Sequence, residues 1–193
     1  NGGVFYLRIE DTDEKRKVDG AVETIINVLR YFNIEFDEGA GFSDDAPQNA
    51  YGPYFQRQRV DIYHAFAKKL VLQGLAYPCF CESEDLEEMR TKQEGAKLRT
   101  GYYGVWAKCR HIPVNEQIEK IKNGEEYILR FKSPGNPEKK IKHHDVIKGN
   151  VDFPENDQDI VIIKADGLPT YHFAHIVDDH LMHTTHVIRA DEW

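Results

Sequence analysis

Side chains that could contact a ligand are concentrated in the last stretch of the chain, Gly167–Trp193. A tyrosine, several histidines, acids, an arginine and a tryptophan occur there within a pattern that predicts two strands and a helical turn. Polar groups this dense in an ordered segment indicate the lining of a site rather than a core. A second acid-rich segment, residues 5–13, ends a strand pattern, and we expect the two segments to form opposite walls of one cleft.

The ends of two predicted strands carry complementary charges. Arg189 and Trp193 follow a predicted strand over residues 185–188, and Glu10 follows one over residues 4–9. In open parallel sheets, ligands bind beyond the carboxyl ends of the strands. A guanidinium there can pair with a carboxylate, and a glutamate can accept an ammonium group. The set fits a zwitterionic amino acid, although an arginine–glutamate salt bridge fits the same residues.

Histidines and paired aspartates in the same stretch also suggest a metal or an acid–base site. The histidines are His172, His175, His180, His183 and His186. Because the first and last of them fall in predicted strands, we interpret most of the set as surface or supporting groups. Asp178 and Asp179 could bind a metal or act as acid and base, but neighbouring carboxylates more often accept hydrogen bonds or cap helices.

All three cysteines fall in a Cys-x-Cys…Cys-x-His pattern, formed by Cys79, Cys81, Cys109 and His111. Zinc takes four tetrahedral ligands from thiolate and imidazole, so the pattern predicts a zinc site. A closed site of this kind is structural, because no position remains for a reacting water. Tyr102 or Tyr103 could replace His111 as the fourth ligand, and small buried cysteines beside an incidental histidine remain the alternative.

Composition narrows the class of protein. The net charge of −8 argues against non-specific nucleic-acid binding through bulk charge. A local basic segment, residues 130–148, predicts either a solvated hairpin or an RNA-contacting one. No apolar run reaches the roughly 18 residues of a membrane span, and we expect no signal peptide. An odd number of cysteines without such a signal favours reduced thiols and the cytoplasm.

The predicted elements divide into a first layer, formed by the two ends of the chain, and an insertion between them. Beyond the strand at residues 4–9, which we expect to be buried on both faces, a helix should run from Thr12 or Asp13 to about Phe32. A Gly-, Pro- and Asp-rich loop covers residues 37–54, and a second helix covers residues 56–75 with Gly74 as its cap.

The middle of the chain predicts an inserted antiparallel α+β module. Its helices are expected at residues 84–94 and 115–122, and its strands at 126–132, 141–147, 151–153 and 159–164. The predicted domains are therefore residues 1–76 and 165–193 for the first layer and 77–164 for the insertion.

Three long motifs, GGVFYLRIEDTD, YGPYFQRQRVDIY and PTYHFAHIVDDHLMHTTHVIRADEW, resemble those of the glutamyl-tRNA synthetases, a family of class I aminoacyl-tRNA synthetases. The resemblance covers essentially the whole chain. It implies a Rossmann-like core, a parallel sheet with flanking helices, interrupted by an acceptor-stem-binding insertion at about residues 77–164. It also implies a cytoplasmic glutamate–tRNA ligase that uses ATP with Mg²⁺ to form glutamyl-adenylate and then transfers glutamate to the 3′ end of tRNA-Glu.

The resemblance also assigns roles to single residues. It implies that Glu10 contacts the ammonium of glutamate and that Tyr171, Arg189 and Trp193 line the glutamate pocket. The carry-over to His175 is weaker, since many members have asparagine there. Zinc on the Cys-x-Cys…Cys-x-His pattern occurs in only some members, and this chain retains the pattern.

Two ATP-binding segments of that family are not found in residues 1–193: the Pro-Ser-Pro-Thr-Gly strand with its His-Ile-Gly-His helix, and the Lys-Met-Ser-Lys-Ser loop. No catalytic residue is therefore assigned, and we expect no ATP–pyrophosphate exchange from these residues alone, because the family's chemistry rests on electrostatic stabilisation of the phosphates. Two alternatives remain. One is a glutamyl-queuosine tRNA-Asp synthetase, and the other is a fragment that binds RNA through Lys139, Lys140 and Lys142 without catalysis.

Overall fold

The computed structural model describes residues 2–13, 18–41 and 50–188. The chain divides into two compact units: unit 1 comprises Asn1–Phe66 and Gly167–Trp193, and unit 2 comprises Ala67–Asp166. None of the helices in these described ranges is both long enough and apolar enough to cross a membrane.

Unit 1 is an α/β unit with parallel strand pairing, as the sequence predicts. Strand β1 (Tyr6–Leu7) pairs in parallel with β2 (Glu38–Gly39), and helix α1 (Ala21–Tyr31) connects them. Just beyond β1, Ile9 forms a parallel bridge with Phe55. The backbone at residue 39 has a φ of 125°, and a Cβ there would collide with the backbone of Leu7. Only glycine permits the close approach of these two strands.

The first strand, helix and loop differ from the prediction. The strand is shorter than predicted and is not buried on both faces, since Val4 is 59% exposed and Phe5 is 39% exposed. Within the described residues, β1 has a ladder partner on one side only. The helix begins at Ala21 rather than at Thr12 or Asp13, because residues 19–20 form a turn in which Gly20 has a φ of 74°. The loop predicted over residues 37–54 also contains β2, which is too short to give a periodic signal.

The second predicted helix is present, in two parts. A 3-10 turn over Gln56–Arg59 leads into α2 (Val60–Leu72), and Gly74 follows with a φ of 70°. Such a left-handed residue after the last turn is the usual helix stop, as predicted.

The last helix replaces a predicted strand. Helix α5 (Tyr171–Leu181) includes His172, which the sequence pattern placed in a strand. Its buried residues Phe173, Ala174 and Val177 recur at helical spacing, and this periodicity outweighs the local β-propensity. Residues 185–188, predicted as a second strand, have no regular secondary structure.

Unit 2 is an antiparallel α+β module, as predicted. Strands β3 (Ala76–Cys79), β4 (Ile128–Phe131) and β7 (Val161–Ile163) form a sheet in the order β3–β4–β7. Helices α3 (Ser83–Gly95) and α4 (Val114–Lys122) precede β4 and confirm the two predicted helices. Between them lie 3-10 turns over Gly104–Trp106 and Lys108–His111.

A separate two-stranded ribbon also belongs to unit 2. Strands β5 (Lys140–Asp145) and β6 (Gly149–Pro154) pair in antiparallel fashion, with Lys142 opposite Asp152. Most side chains of both strands are exposed, and the ribbon belongs to a different sheet from β3–β4–β7.

Candidate functional site

A cavity of about 550 Å³ in unit 1 brings the two predicted walls together. Residues 4–10 line one side, and Asp179, Thr184 and residues 186–188 line the other. The hydroxyl of Tyr6 is hydrogen bonded to that of Thr184, which ties the two segments directly. The prediction of one cleft between these segments is therefore confirmed.

Glu10 and Tyr171, two of the predicted pocket residues, meet through His175. The Glu10 carboxylate lies 3.5 Å from Nδ1 of His175, and the Tyr171 ring is stacked on the imidazole at a centroid distance of 5.8 Å and an angle of 6°. Glu10 follows β1, while the other two stand one helical turn apart on α5, so a strand end and a helix face converge.

Arg8 is a part of this site that the sequence interpretation missed. Its guanidinium donates to Oδ1 of Asp179 at 2.8 Å and to Nδ1 of His175 at 2.6 Å, and it lies 3.6 Å from Glu10. Burial opposes the charge of Arg8, but hydrogen bonding to Asp179 and the nearby carboxylates raise its pKa above the ordinary value. The available signal was strand periodicity, which places residues 8 and 10 on one face.

Arg8 also determines which ring nitrogen of His175 carries the proton. Because Nδ1 of His175 accepts from Arg8, its Nε2 carries the proton and donates to Oδ2 of Asp179 at 2.9 Å. The Glu10 carboxylate thus faces the cavity, where it can bind a cationic group, beside an imidazole whose two nitrogens already contact Arg8 and Asp179.

Asp178 is a structural residue rather than a metal ligand or an acid. It is fully buried, and its carboxylate accepts hydrogen bonds from Arg59 at 2.8 Å, Tyr63 at 2.8 Å and Gln56 at 3.1 Å. The interpretation of the aspartate pair as hydrogen-bond acceptors is confirmed for this residue. Arg189 and Trp193, predicted to complete the pocket, lie outside the described residues.

The histidines of this stretch do not gather around a common point. His180 contacts the ring of Phe66, and His183 contacts that of Tyr51. Over the described ranges, the residues able to hold a metal ion form a single group, which contains none of these histidines. Their interpretation as mostly supporting groups agrees with this placement.

That single group is the cysteine cluster of unit 2. The Sγ atoms of Cys79, Cys81 and Cys109 lie within 4.8 Å of one another, and Cys81 and Cys109 are 3.5 Å apart. Cys79 ends β3, Cys81 follows it, and Cys109 comes from a 3-10 turn. His111 is exposed and is not a member of the group.

Tyr102 occupies the remaining side of the cluster. Its Oη lies 3.4 Å from the sulfur of Cys79 and 3.3 Å from that of Cys81, and it accepts the backbone N–H of Cys109 at 3.0 Å. Tetrahedral zinc with Zn–S near 2.3 Å and Zn–O near 2.0 Å would separate two sulfurs by about 3.8 Å and a sulfur from an oxygen by about 3.5 Å. The separation of Cys81 and Cys109 and the distances from the Tyr102 oxygen to the sulfurs of Cys79 and Cys81 are close to these values, so the cluster could hold a zinc ion.

The loop before Tyr102 is held in place by Gln93 of α3. The Gln93 side chain donates to the carbonyl of Gly101 at 2.8 Å and accepts from its N–H at 2.9 Å. Gly101 has a φ of 146°, and a Cβ there would collide with the side chain of Gln158. The direction of the tyrosine thus depends on contacts that are remote in the sequence.

The neighbouring groups shift the pKa values of Cys79 and Cys81 in opposite directions. Hydrogen bonds with Cys109 and Cys81 lower the pKa of Cys79, while hydrogen bonds with Cys109 and Cys79 raise the pKa of Cys81. Burial and the neighbouring sulfurs raise the pKa of Tyr102. Several anions cannot share this small buried volume without a cation, so the donor set suits a bound metal.

The parallel α/β unit, with its cleft at a strand end, and the antiparallel module within the same chain define the catalytic domain of a class I tRNA synthetase. The family model described as "tRNA synthetases class I (E and Q), catalytic domain" matches residues 1–193, and the chain belongs to this family.

The relatives are glutamate–tRNA ligases. The chain is 58% identical over 193 residues to the enzyme of Clostridium perfringens (strain 13 / Type A), covering 100% of this chain and 35% of the relative. It is 56% identical over 191 residues to that of Clostridium beijerinckii, covering 99% of this chain and 34% of the relative.

A solved structure is also similar. The crystal structure of a glutamate tRNA ligase from Elizabethkingia meningosepticum CCUG26117, in complex with its amino acid, matches with a TM-score of 0.84 and 36% identity, covering 100% of this chain and 38% of that one. The chain thus spans about a third of the length of the relatives it matches.

Proposed function

We propose that the chain supplies the glutamate pocket and the tRNA-acceptor-binding module of an ATP-dependent glutamate–tRNA ligase. The observation that carries the proposal is the contact of Glu10, which lines the cavity, with His175, on which the ring of Tyr171 is stacked. High identity to glutamate–tRNA ligases supports the choice of amino acid. The related Elizabethkingia meningosepticum enzyme contains its amino acid, which supports a pocket of the same kind here.

In this proposal Glu10 pairs with the ammonium group of glutamate. Tyr171, Arg189 and Trp193 line the pocket, and the guanidinium of Arg189 pairs with a substrate carboxylate. Arg8 keeps Glu10 and His175 in place through the contacts described above. The acids and the imidazole bind and orient the substrate, and no covalent step is assigned to them.

The test is Glu10→Gln in the full-length gene product, assayed by glutamate-dependent ATP–pyrophosphate exchange. A hydrogen bond between charged groups contributes about 1.5–3 kcal/mol, so we expect the KM for glutamate to rise about 10- to 150-fold. The exposed Glu23 on α1 provides the matched control, and Glu23→Gln should leave the KM unchanged. An unaltered KM for glutamate in the Glu10 variant would contradict the assignment.

We also propose that unit 2 holds one structural zinc ion on Cys79, Cys81, Cys109 and Tyr102. When bound, zinc would cross-link β3, the loop before residue 102 and the turn over Lys108–His111. The support comes from the spacing of the sulfur and oxygen atoms and from the exposure of His111.

Metal analysis of three variants tests this ligand set. We expect one zinc per chain in the unaltered protein, loss of zinc in Cys109→Ser, and weaker zinc binding in Tyr102→Phe, because an open coordination position lowers affinity. His111→Asn should bind zinc as the unaltered protein does. If the histidine variant loses zinc while the phenylalanine variant keeps it, the fourth ligand is His111 instead.

The acceptor end of the tRNA is proposed to contact unit 2 through the β5–β6 ribbon. Lys139, Lys140 and Lys142 are exposed along its first strand and the residue before it. Exposed lysines on this ribbon suit the phosphate backbone of an RNA stem.

A further inference from the structure

We propose that Asp159 is a positioning residue for the metal ligands of unit 2, an inference that rests on the zinc site proposed above. Asp159 precedes β7 and is 1% exposed. Its hydrogen bonds go to residues beside the ligands rather than to the ligand sulfurs, and they connect the segments that carry the ligands.

The carboxylate of Asp159 joins two of these segments. Oδ2 accepts a hydrogen bond from the hydroxyl of Tyr77 at 2.6 Å, and Oδ1 accepts one from Arg110 at 3.0 Å. Tyr77 stands two residues before Cys79 in β3, and Arg110 directly follows Cys109. One buried carboxylate therefore fixes the approach of the two cysteines from separate elements.

The backbone of Asp159 joins the third segment. Its N–H donates to the carbonyl of Tyr102 at 2.8 Å, and its carbonyl accepts from Arg130 at 2.8 Å. The guanidinium of Arg130 lies 4.0 Å from the centroid of the Tyr102 ring. The backbone of Tyr102 is thus held by Asp159 itself, and the face of its ring is covered by Arg130, which Asp159 also contacts.

Oδ1 accepts a second hydrogen bond, from the backbone N–H of Ser133 at 2.8 Å. The carboxylate consequently faces three donors, of which one is a guanidinium. Asparagine has nearly the same size but offers one oxygen and adds an N–H₂ group. With its N–H₂ group turned to Tyr77 the amide keeps both sets of hydrogen bonds, because the phenol can accept in place of donating, but the negative charge that pairs with Arg110, the residue after Cys109, is lost.

Such anchoring matters because the ligands are distant in sequence. Cys79 and Cys109 can receive a metal without rearrangement only if β3 and the turn over Lys108–His111 are already held together. Groups that orient metal ligands from outside the coordination sphere typically change metal affinity about 10- to 100-fold when they are replaced.

The experiment compares zinc affinity, by chelator competition, in the full-length gene product and in Asp159→Asn, Tyr77→Phe and Asp152→Asn. Cobalt(II) replaces zinc in a second measurement, because its thiolate charge-transfer and d–d bands report the ligand set and its geometry. Asp152 is an exposed residue of the ribbon and provides a control for the loss of one negative charge.

We expect Asp159→Asn to weaken zinc binding at least tenfold and to reduce or shift the cobalt bands, and Tyr77→Phe to show a smaller change of the same sign. Asp152→Asn should match the unaltered protein. Circular dichroism identifies variants that do not fold. If Asp159→Asn does not fold, the zinc affinity and cobalt bands of Tyr77→Phe, which removes a single hydroxyl, test the proposal.

Wild-type zinc affinity and cobalt bands in both Asp159→Asn and Tyr77→Phe would overturn the role of Asp159 and leave the zinc site intact. Failure of the unaltered protein to take up either metal would instead overturn the zinc site and this inference together.

Discussion

Asp178 and Asp179 show how neighbouring residues of the same type acquire different tasks. Successive residues of a helix point about 100° apart. Asp178 therefore faces the interior, where Arg59 and Tyr63 bind it, while Asp179 faces the cavity and contacts Arg8 and His175. The sequence indicated a pair of hydrogen-bond acceptors but could not indicate which member faced the ligand.

Replacing Asp178 with alanine should destabilise unit 1 strongly. The change leaves the buried guanidinium of Arg59 and the hydroxyl of Tyr63 without their acceptor, at a cost on the order of 3–5 kcal/mol in the free energy of unfolding. Denaturant unfolding measures this cost. Asp61→Ala, at an exposed position in the first turn of α2, should lose no more than about 1 kcal/mol. Equal losses in the two variants would argue against a special role for Asp178.

At the scale of elements, the β5–β6 ribbon separates two kinds of side chain. Alternation places Lys140 and Lys142 on one face, and the cross-strand pair of Ile141 and Phe153 on the other. The ribbon was predicted as two strands from its pattern, and the short connection between them predicted antiparallel pairing. The pattern could not predict that the ribbon is separate from the sheet β3–β4–β7.

The ribbon yields a prediction for RNA binding by the full-length gene product. The double change Lys140→Glu and Lys142→Glu should weaken binding to an acceptor-stem minihelix about tenfold or more, and should flatten the dependence of the affinity on salt, since fewer phosphates are neutralised. Titrations at several salt concentrations measure both. The control is Lys68→Glu with Lys69→Glu, at exposed positions on α2. An equal loss there would indicate bulk charge rather than contact by the ribbon.

At the scale of the whole molecule, each unit builds its site from segments that are far apart in the sequence. In unit 1, Arg8 and Glu10 meet Tyr171, His175 and Asp179. In unit 2, the cysteines meet a tyrosine that comes from another loop. Long motifs made the segments recognisable, but the partners within each site depend on chain folding.

Periodicity, turn residues and sequence motifs are local properties of a chain. They were sufficient to predict most helices and strands, the α/β class, the inserted module and the segments that carry the site. The errors of the sequence prediction include the length and burial of the first strand, the strand over residues 185–188, the start of α1 and the fold of residues 171–181. At the last two, a turn at Gly20 and the packing of an apolar helix face outweighed local propensity. Tertiary structure alone decided that Arg8 joins Glu10 and His175, and that Tyr102 rather than His111 faces the cysteines. Side-chain direction at these positions depends on remote anchors such as Gln93 and Asp159, and no local sequence pattern records such anchors.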